Sequence, residues 1–127
     1  MLKFFRSRVQ SFGYAFRGWS FVIRTQKNAL IHALITIAVI MLAFWLRLST
    51  QDWAILLLAI AMVWAAEFFN TAIEAMVDLA STETHPLAKI SKDVGAGAVL
   101  IAALGSVLIG LLILGPPLWA RIQTLIS

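Results

Sequence analysis

Cysteine is absent from the 127 residues, which excludes disulfides and thiolate metal sites. Histidine occurs only at His32 and His85. Charge is scarce: 13% of residues are charged against 61% apolar, too much apolar surface for so short a chain to bury in a water-soluble core. Proline is rare, and two of its three copies adjoin in Gly115-Pro116-Pro117, where they should end or sharply kink the preceding helix. No G-x-x-x-x-G-K-[ST] loop is present. VGAGAVLIAALG contains glycine but lies inside an apolar stretch, so a Walker-type phosphate loop is ruled out. Internal repeats, low-complexity tracts and flexible linkers are also missing.

The apolar excess falls in three runs. Ala29 to Leu46 spans 18 residues broken only by His32 and Thr36, Trp53 to Ala66 spans 14, and Val94 to Leu114 spans 21. A hydrocarbon core about 30 Å thick needs roughly 20 helical residues. The first and third runs meet this nearly unaided, and the second does so if its helix continues into the residues that follow. The pattern predicts one membrane-embedded, all-α domain over residues 1–127. It comprises an N-terminal amphipathic helix at 1–27 and spans at 29–48, 53–80 and 92–115, with a break at Thr50-Gln51.

Lys3, Arg6, Arg8, Arg17, Arg24 and Lys27 precede the first span, and Lys89 and Lys92 lie between the second and third. Only Arg47 and Arg121 fall on the other side, so the N-terminus is expected in the cytoplasm. The net charge of +4 then reflects topology and lipid contact rather than nucleic-acid binding. Leu2, Phe5, Val9, Phe12, Phe16, Trp19 and Ile23 recur every three or four residues opposite basic side chains, which predicts a helix in the headgroup plane. Basic residues continue to Lys27 with no small-residue cleavage site after them, unlike a signal peptide. Such a helix either anchors the protein or also covers a site.

Three of the six carboxylates, Glu67, Glu74 and Asp78, fall with Asn70 in AEFFNTAIEAMVD. On a helix these four positions occupy a strip about 80° wide, with Thr71 beside it. Counted from Trp53, Glu67 lies about 21 Å along the helix and Asp78 about 38 Å, so the strip starts at acyl depth and ends near water. A polar seam joining helices would need only Asn70 and Thr71, whereas three carboxylates repel unless a cation sits among them. Ion translocation would favour acids at the midplane. Clustering toward one interface favours chemistry between a lipid and a water-soluble molecule.

Lys92 and Asp93 are expected at the start of the third span, where free amides and the helix dipole favour phosphate. Capping and snorkelling would also account for such a pair. Nearby carboxylates suit Mg²⁺, which takes oxygen ligands and substrate phosphates. Ala98, Ala102, Ser106 and Gly110 repeat every fourth residue, a small-residue ridge for helix packing. His32, at the start of a span, reads as an interfacial hydrogen-bonding residue rather than a ligand.

EFFNTAIEAMVD, then HPLAKISKD and AGAVL, resembles the signature of the prokaryotic diacylglycerol kinase family of small membrane lipid kinases. GYAFRGW and RTQKNALIH resemble that family's N-terminal helix and its entry into the first span, so the similarity runs over roughly residues 11 to 115. NTAIE with VDLAS and HPLAK looks closer to the undecaprenol kinase branch. The resemblance implies a homotrimer in the bacterial inner membrane with active sites shared between subunits. It also implies ATP- and Mg²⁺-dependent transfer of the γ-phosphoryl group to diacylglycerol or undecaprenol, in phospholipid or lipid-carrier recycling. By position, Glu67 matches the general base and Glu74 a metal-binding carboxylate. Asn70 and Asp93 match catalytic polar residues, and Lys92, Asp78 and His85 match positions near ATP.

Gln26 departs from the pattern, since the family commonly has a glutamate there that joins Glu74 in holding metal. The expectation is one of three: weaker metal binding, greater reliance on ATP oxygens and Asp78, or low activity. The alternative is a non-enzymatic or inactive oligomeric membrane protein resembling a small transporter. Transport would not require Glu67, Asn70, Glu74, Lys92 and Asp93 together.

Overall fold

The structure, a computed structural model, describes residues 1–80 and 85–126, with residues 2–7 and 9 described in backbone only. Four helices follow in order: α1 Leu2–Thr25, α2 Lys27–Leu46, α3 Thr50–Ala80 and α4 Pro86–Ile126. The last three are long and apolar enough to cross a membrane. The all-helical, three-span expectation therefore holds. Leu2, Phe5 and Val9 of the predicted apolar stripe have side chains outside the described residues, as do Lys3 and Arg6.

The helix ends differ from the expected ones, for local reasons. Gln26 alone separates α1 from α2, in an extended conformation with φ −103° and ψ 113° that breaks the helix axis. Arg47 ends α2 in the left-handed region at φ 55°, and its own N–H and that of Leu48 turn back to Phe44 and Ala43 carbonyls. Thr50 and Gln51 are not a break. They open α3, because Ser49 caps it: Ser49 Oγ accepts from the Asp52 N–H at 3.2 Å and donates to Asp52 Oδ2 at 2.6 Å.

α4 begins six residues before the predicted 92, at Pro86, a residue suited to the first helical position. His85 Nδ1 accepts the Leu87 N–H at 3.2 Å and caps it. The Pro116–Pro117 pair does not end the helix, which continues to Ile126. Contacts beyond the prolines hold it. Leu118 packs on the cluster of Ala43, Leu46, Leu56 and Leu114, and the Arg121 guanidinium lies 5.8 Å above the Trp45 ring. Prolines are tolerated in spans where neighbouring helices compensate for the lost backbone bond.

α3 and α4 run antiparallel along their length, joined by Ser106 Oγ donating to the Ala59 carbonyl at 3.0 Å, by Gly95 against Asn70, and by Lys92 against Asp78. The buried line on α4 is Gly95, Val99 and Ala102, leading to half-buried Ser106. Its spacing of four, three and four is that of a seam between nearly parallel axes. The predicted ridge is only partly used: Ala98 is exposed, and nothing lies near a Cβ placed at Gly110. α1 reaches the bundle through its last turns, where Val22 packs with Ala29 and Trp64. Phe12 and Phe16 of its apolar stripe stay exposed.

Candidate active site

Burial falls steadily along the polar face of α3. Glu67 is 2% exposed and Asn70 8%, while Glu74 is half-buried and Asp78 lies in the open. Thr71 donates its hydroxyl to the Glu67 carbonyl at 2.9 Å, so it belongs to the helix backbone rather than to the acids.

Each acid meets a residue distant in sequence. Glu74 Oε2 accepts from the Gln26 amide at 3.1 Å, and its Oε1 accepts from Asn70 Nδ2 at 3.0 Å. The single extended residue between α1 and α2 thus aims its side chain at the middle of the strip. Gln26 lies beside Glu74, as the resemblance implied, but offers it a donor. Lys92 Nζ meets Asp78 Oδ1 at 2.5 Å across the α3–α4 interface. Asp93 pairs instead with Lys89 on its own helix, at 2.6 Å. His85 caps α4 at the same end.

The early start of α4 corrects one expectation. Lys92 and Asp93 lie about two turns inside the helix, and the unpaired amides belong to its first turn. Any affinity of Lys92 for phosphate comes from its ammonium group rather than from backbone N–H groups.

Two site residues escaped sequence reasoning. His32 Nε2 lies 3.1 Å from Glu67 Oε1, within bonding distance but not aligned, so that Oε1 has no hydrogen-bond partner. The usable signal was spacing: His32 and Thr36, the only polar residues in their run, are four apart and share a face. Both turn to α3, where the Trp64 indole N–H donates to Thr36 Oγ1 at 3.2 Å. The second is Gly95. A Cβ there would sit 2.5 Å from Asn70 Oδ1, so glycine lets α4 pass over Asn70 without displacing its side chain. That oxygen is also buried without a partner.

Beside this cluster an open apolar groove of about 520 Å³ runs between α1, α2 and α3, lined by Trp19, Leu57, Ile60, Trp64 and Phe68. Trp19 packs at a tilt against Trp64 with ring centroids 4.6 Å apart and edge-on against Phe68 at 5.0 Å. The groove's edge at Phe68 adjoins Glu67.

Such a fold and site define a helical membrane protein with a strip of carboxylates along one face of a span. Residues 13–114 match the prokaryotic diacylglycerol kinase family, and the chain belongs to it. It is 44% identical over 109 residues to undecaprenol kinase from Bacillus subtilis, covering 86% of this chain and 89% of that protein. It is 45% identical over 109 residues to a diacylglycerol kinase from Synechocystis, covering 85% of this chain and 62% of that longer protein. Diacylglycerol kinase from Escherichia coli K12 is 36% identical over 69 residues, 54% of this chain and 57% of that one. The class is that of a lipid kinase, and the non-enzymatic alternative is not favoured.

Proposed function

We propose that the protein transfers the γ-phosphoryl group of ATP to the hydroxyl of a membrane lipid, diacylglycerol or undecaprenol. The observation that carries this reading is the buried Glu67 at the deep end of a polar strip whose exposed end holds Lys92. Glu67 accepts the lipid hydroxyl's proton, at the depth where that hydroxyl would lie. Asn70 keeps Glu74 in place through its amide. The apolar groove beside Phe68 takes the lipid's hydrocarbon chain. Lys92 and Asp78 form an exposed pair that can open to admit ATP phosphates. Because His85 Nδ1 accepts a hydrogen bond, its Nε2 is the nitrogen left to donate to the nucleotide.

Mg²⁺ fits the donors in one form. Among the described residues no three of His, Asp and Glu cluster to form a cage. Mg²⁺ is commonly held by one or two carboxylates plus substrate phosphates, so an incomplete protein set suits an ion carried by ATP. Glu74 would supply the carboxylate and Asn70 its unpartnered Oδ1, and Gln26 would contribute if its amide turned to present oxygen. The ion's contribution would be neutralisation of phosphate charge.

The same reading has an inner-membrane protein with a cytoplasmic N-terminus, α1 in the headgroup plane, and a homotrimer with shared sites. Support for orientation is the basic-residue bias. Support for shared sites is Asp93, which within one chain engages Lys89 rather than the cluster. The direct experiment offers purified protein in nanodiscs labelled ATP, Mg²⁺, and diacylglycerol or undecaprenol separately. Label is expected in one or both lipids. ATP hydrolysis with no labelled lipid overturns the proposal.

A further inference from the structure

His32 is half-buried on α2, in a run that is otherwise apolar except for Thr36. Thr36 has a bonded partner in Trp64, and His32 faces Glu67. The neighbours of Glu67 on α3 leave its carboxylate alone: Thr71 bonds its main-chain oxygen, and the Asn70 amide goes to Glu74. Among the described residues, His32 is the side chain that reaches the carboxylate. An unheld carboxylate in so buried a place would be costly and free to rotate. A donor 3.1 Å away on a separate helix can fix it.

We propose that His32 is a positioning residue for the general base. Its Nε2–H donates to Glu67 Oε1 and so turns Oε2 toward the lipid hydroxyl. The proposal rests on Glu67 being the base. In the transfer step the lipid O–H proton passes to Oε2 and the lipid oxygen bonds to the γ-phosphorus. The bond from that phosphorus to the ADP oxygen breaks, and its electron pair leaves with ADP. His32 neither gains nor loses a proton, and its neutral form with hydrogen on Nε2 suffices. The present misalignment accords with catalytic hydrogen bonds that tighten only when substrate is bound. A histidine that merely joined α2 to α3 would share the contact but not its kinetic consequences.

The test compares full-length His32→Ala, His32→Gln, Glu67→Gln and the double variant His32→Ala/Glu67→Gln in nanodiscs. His32→Ala is expected to lower kcat about tenfold or more with KM for ATP unchanged, since orientation is lost and nucleotide binding is not. His32→Gln, whose amide can replace Nε2–H, should recover most of the rate. The double variant should be no slower than Glu67→Gln alone. Should His32→Ala not assemble, His32→Asn replaces it, slow where His32→Gln is fast because its amide falls short of Oε1. A His32→Ala enzyme at the wild-type rate, a Gln variant no better than Ala, or multiplicative losses in the double variant overturns the proposal. If Glu67→Gln itself turns over normally, the base assignment has failed. If it is inactive while His32→Ala is fully active, only the histidine proposal has failed.

Discussion

The two ends of the α3 polar face differ in what surrounds them. At the deep end, Glu67 and Asn70 are 2% and 8% exposed, and each has an oxygen without a hydrogen-bond partner. At the shallow end, Asp78 and Lys92 satisfy each other at 2.5 Å with side chains 67% and 40% exposed. Burying an unsatisfied oxygen costs about 1–3 kcal/mol, more when charged, so stability alone would not retain the deep pair. An exposed ion pair is worth about 0–1 kcal/mol and opens at little cost. On the proposed function, the deep end acts on a group brought to it and the shallow end exchanges partners with a ligand from water.

The largest expected effect breaks the deep end. Glu67→Gln keeps size and polarity but removes the proton acceptor, and kcat should fall by about 10²–10⁴ with assembly intact. Retention of more than about a tenth of the wild-type rate would contradict the assignment.

Gly95→Ala probes the same end from α4. Alanine favours a helix over glycine by about 0.5–1 kcal/mol, whereas overpacking costs about 1–3 kcal/mol. With a Cβ 2.5 Å from Asn70 Oδ1, Asn70 must swing away, breaking its bond to Glu74. The net stability loss should be small, up to about 2 kcal/mol by thermal unfolding, while activity drops several-fold or more. Full activity would mean that Asn70 need not stand where it does.

Gln26→Glu sharpens the boundary between the two ends. It replaces the donor to Glu74 with a like charge, so the metal-free protein should be less stable, and Mg²⁺ should be bound more tightly. Half-maximal activity should come at lower Mg²⁺, and Mg²⁺ with nucleotide should raise Tm more than in wild type. Coincident titrations would exclude position 26 from the metal's surroundings. Lys92→Met, at the shallow end, should change stability by less than about 1 kcal/mol and raise KM for ATP several-fold.

Sequence reasoning reached the features that depend on periodicity along one helix. The three spans and the strip over Glu67, Asn70, Glu74 and Asp78 follow from hydropathy and the 100° rotation per residue. Features made between helices were less legible. Gly95 lies off the regular four-residue ridge because the seam alternates spacings of four and three. His32 looked interfacial because nothing local to it names Glu67 as its partner. Helix ends were misplaced where side chains decide them, as with His85 before Pro86, or where packing outweighs a proline pair, as with Leu118 and Arg121.

The division of labour along α3 is tested most directly by ATP affinity, measured at equilibrium on wild type, Glu67→Gln and Lys92→Met reconstituted in nanodiscs. A lipid-side base and a nucleotide-side lysine predict that inactive Glu67→Gln binds ATP as tightly as wild type, while Lys92→Met binds it several-fold more weakly. Equal loss of ATP affinity in both variants would contradict the division, because the buried carboxylate would then belong to the nucleotide site.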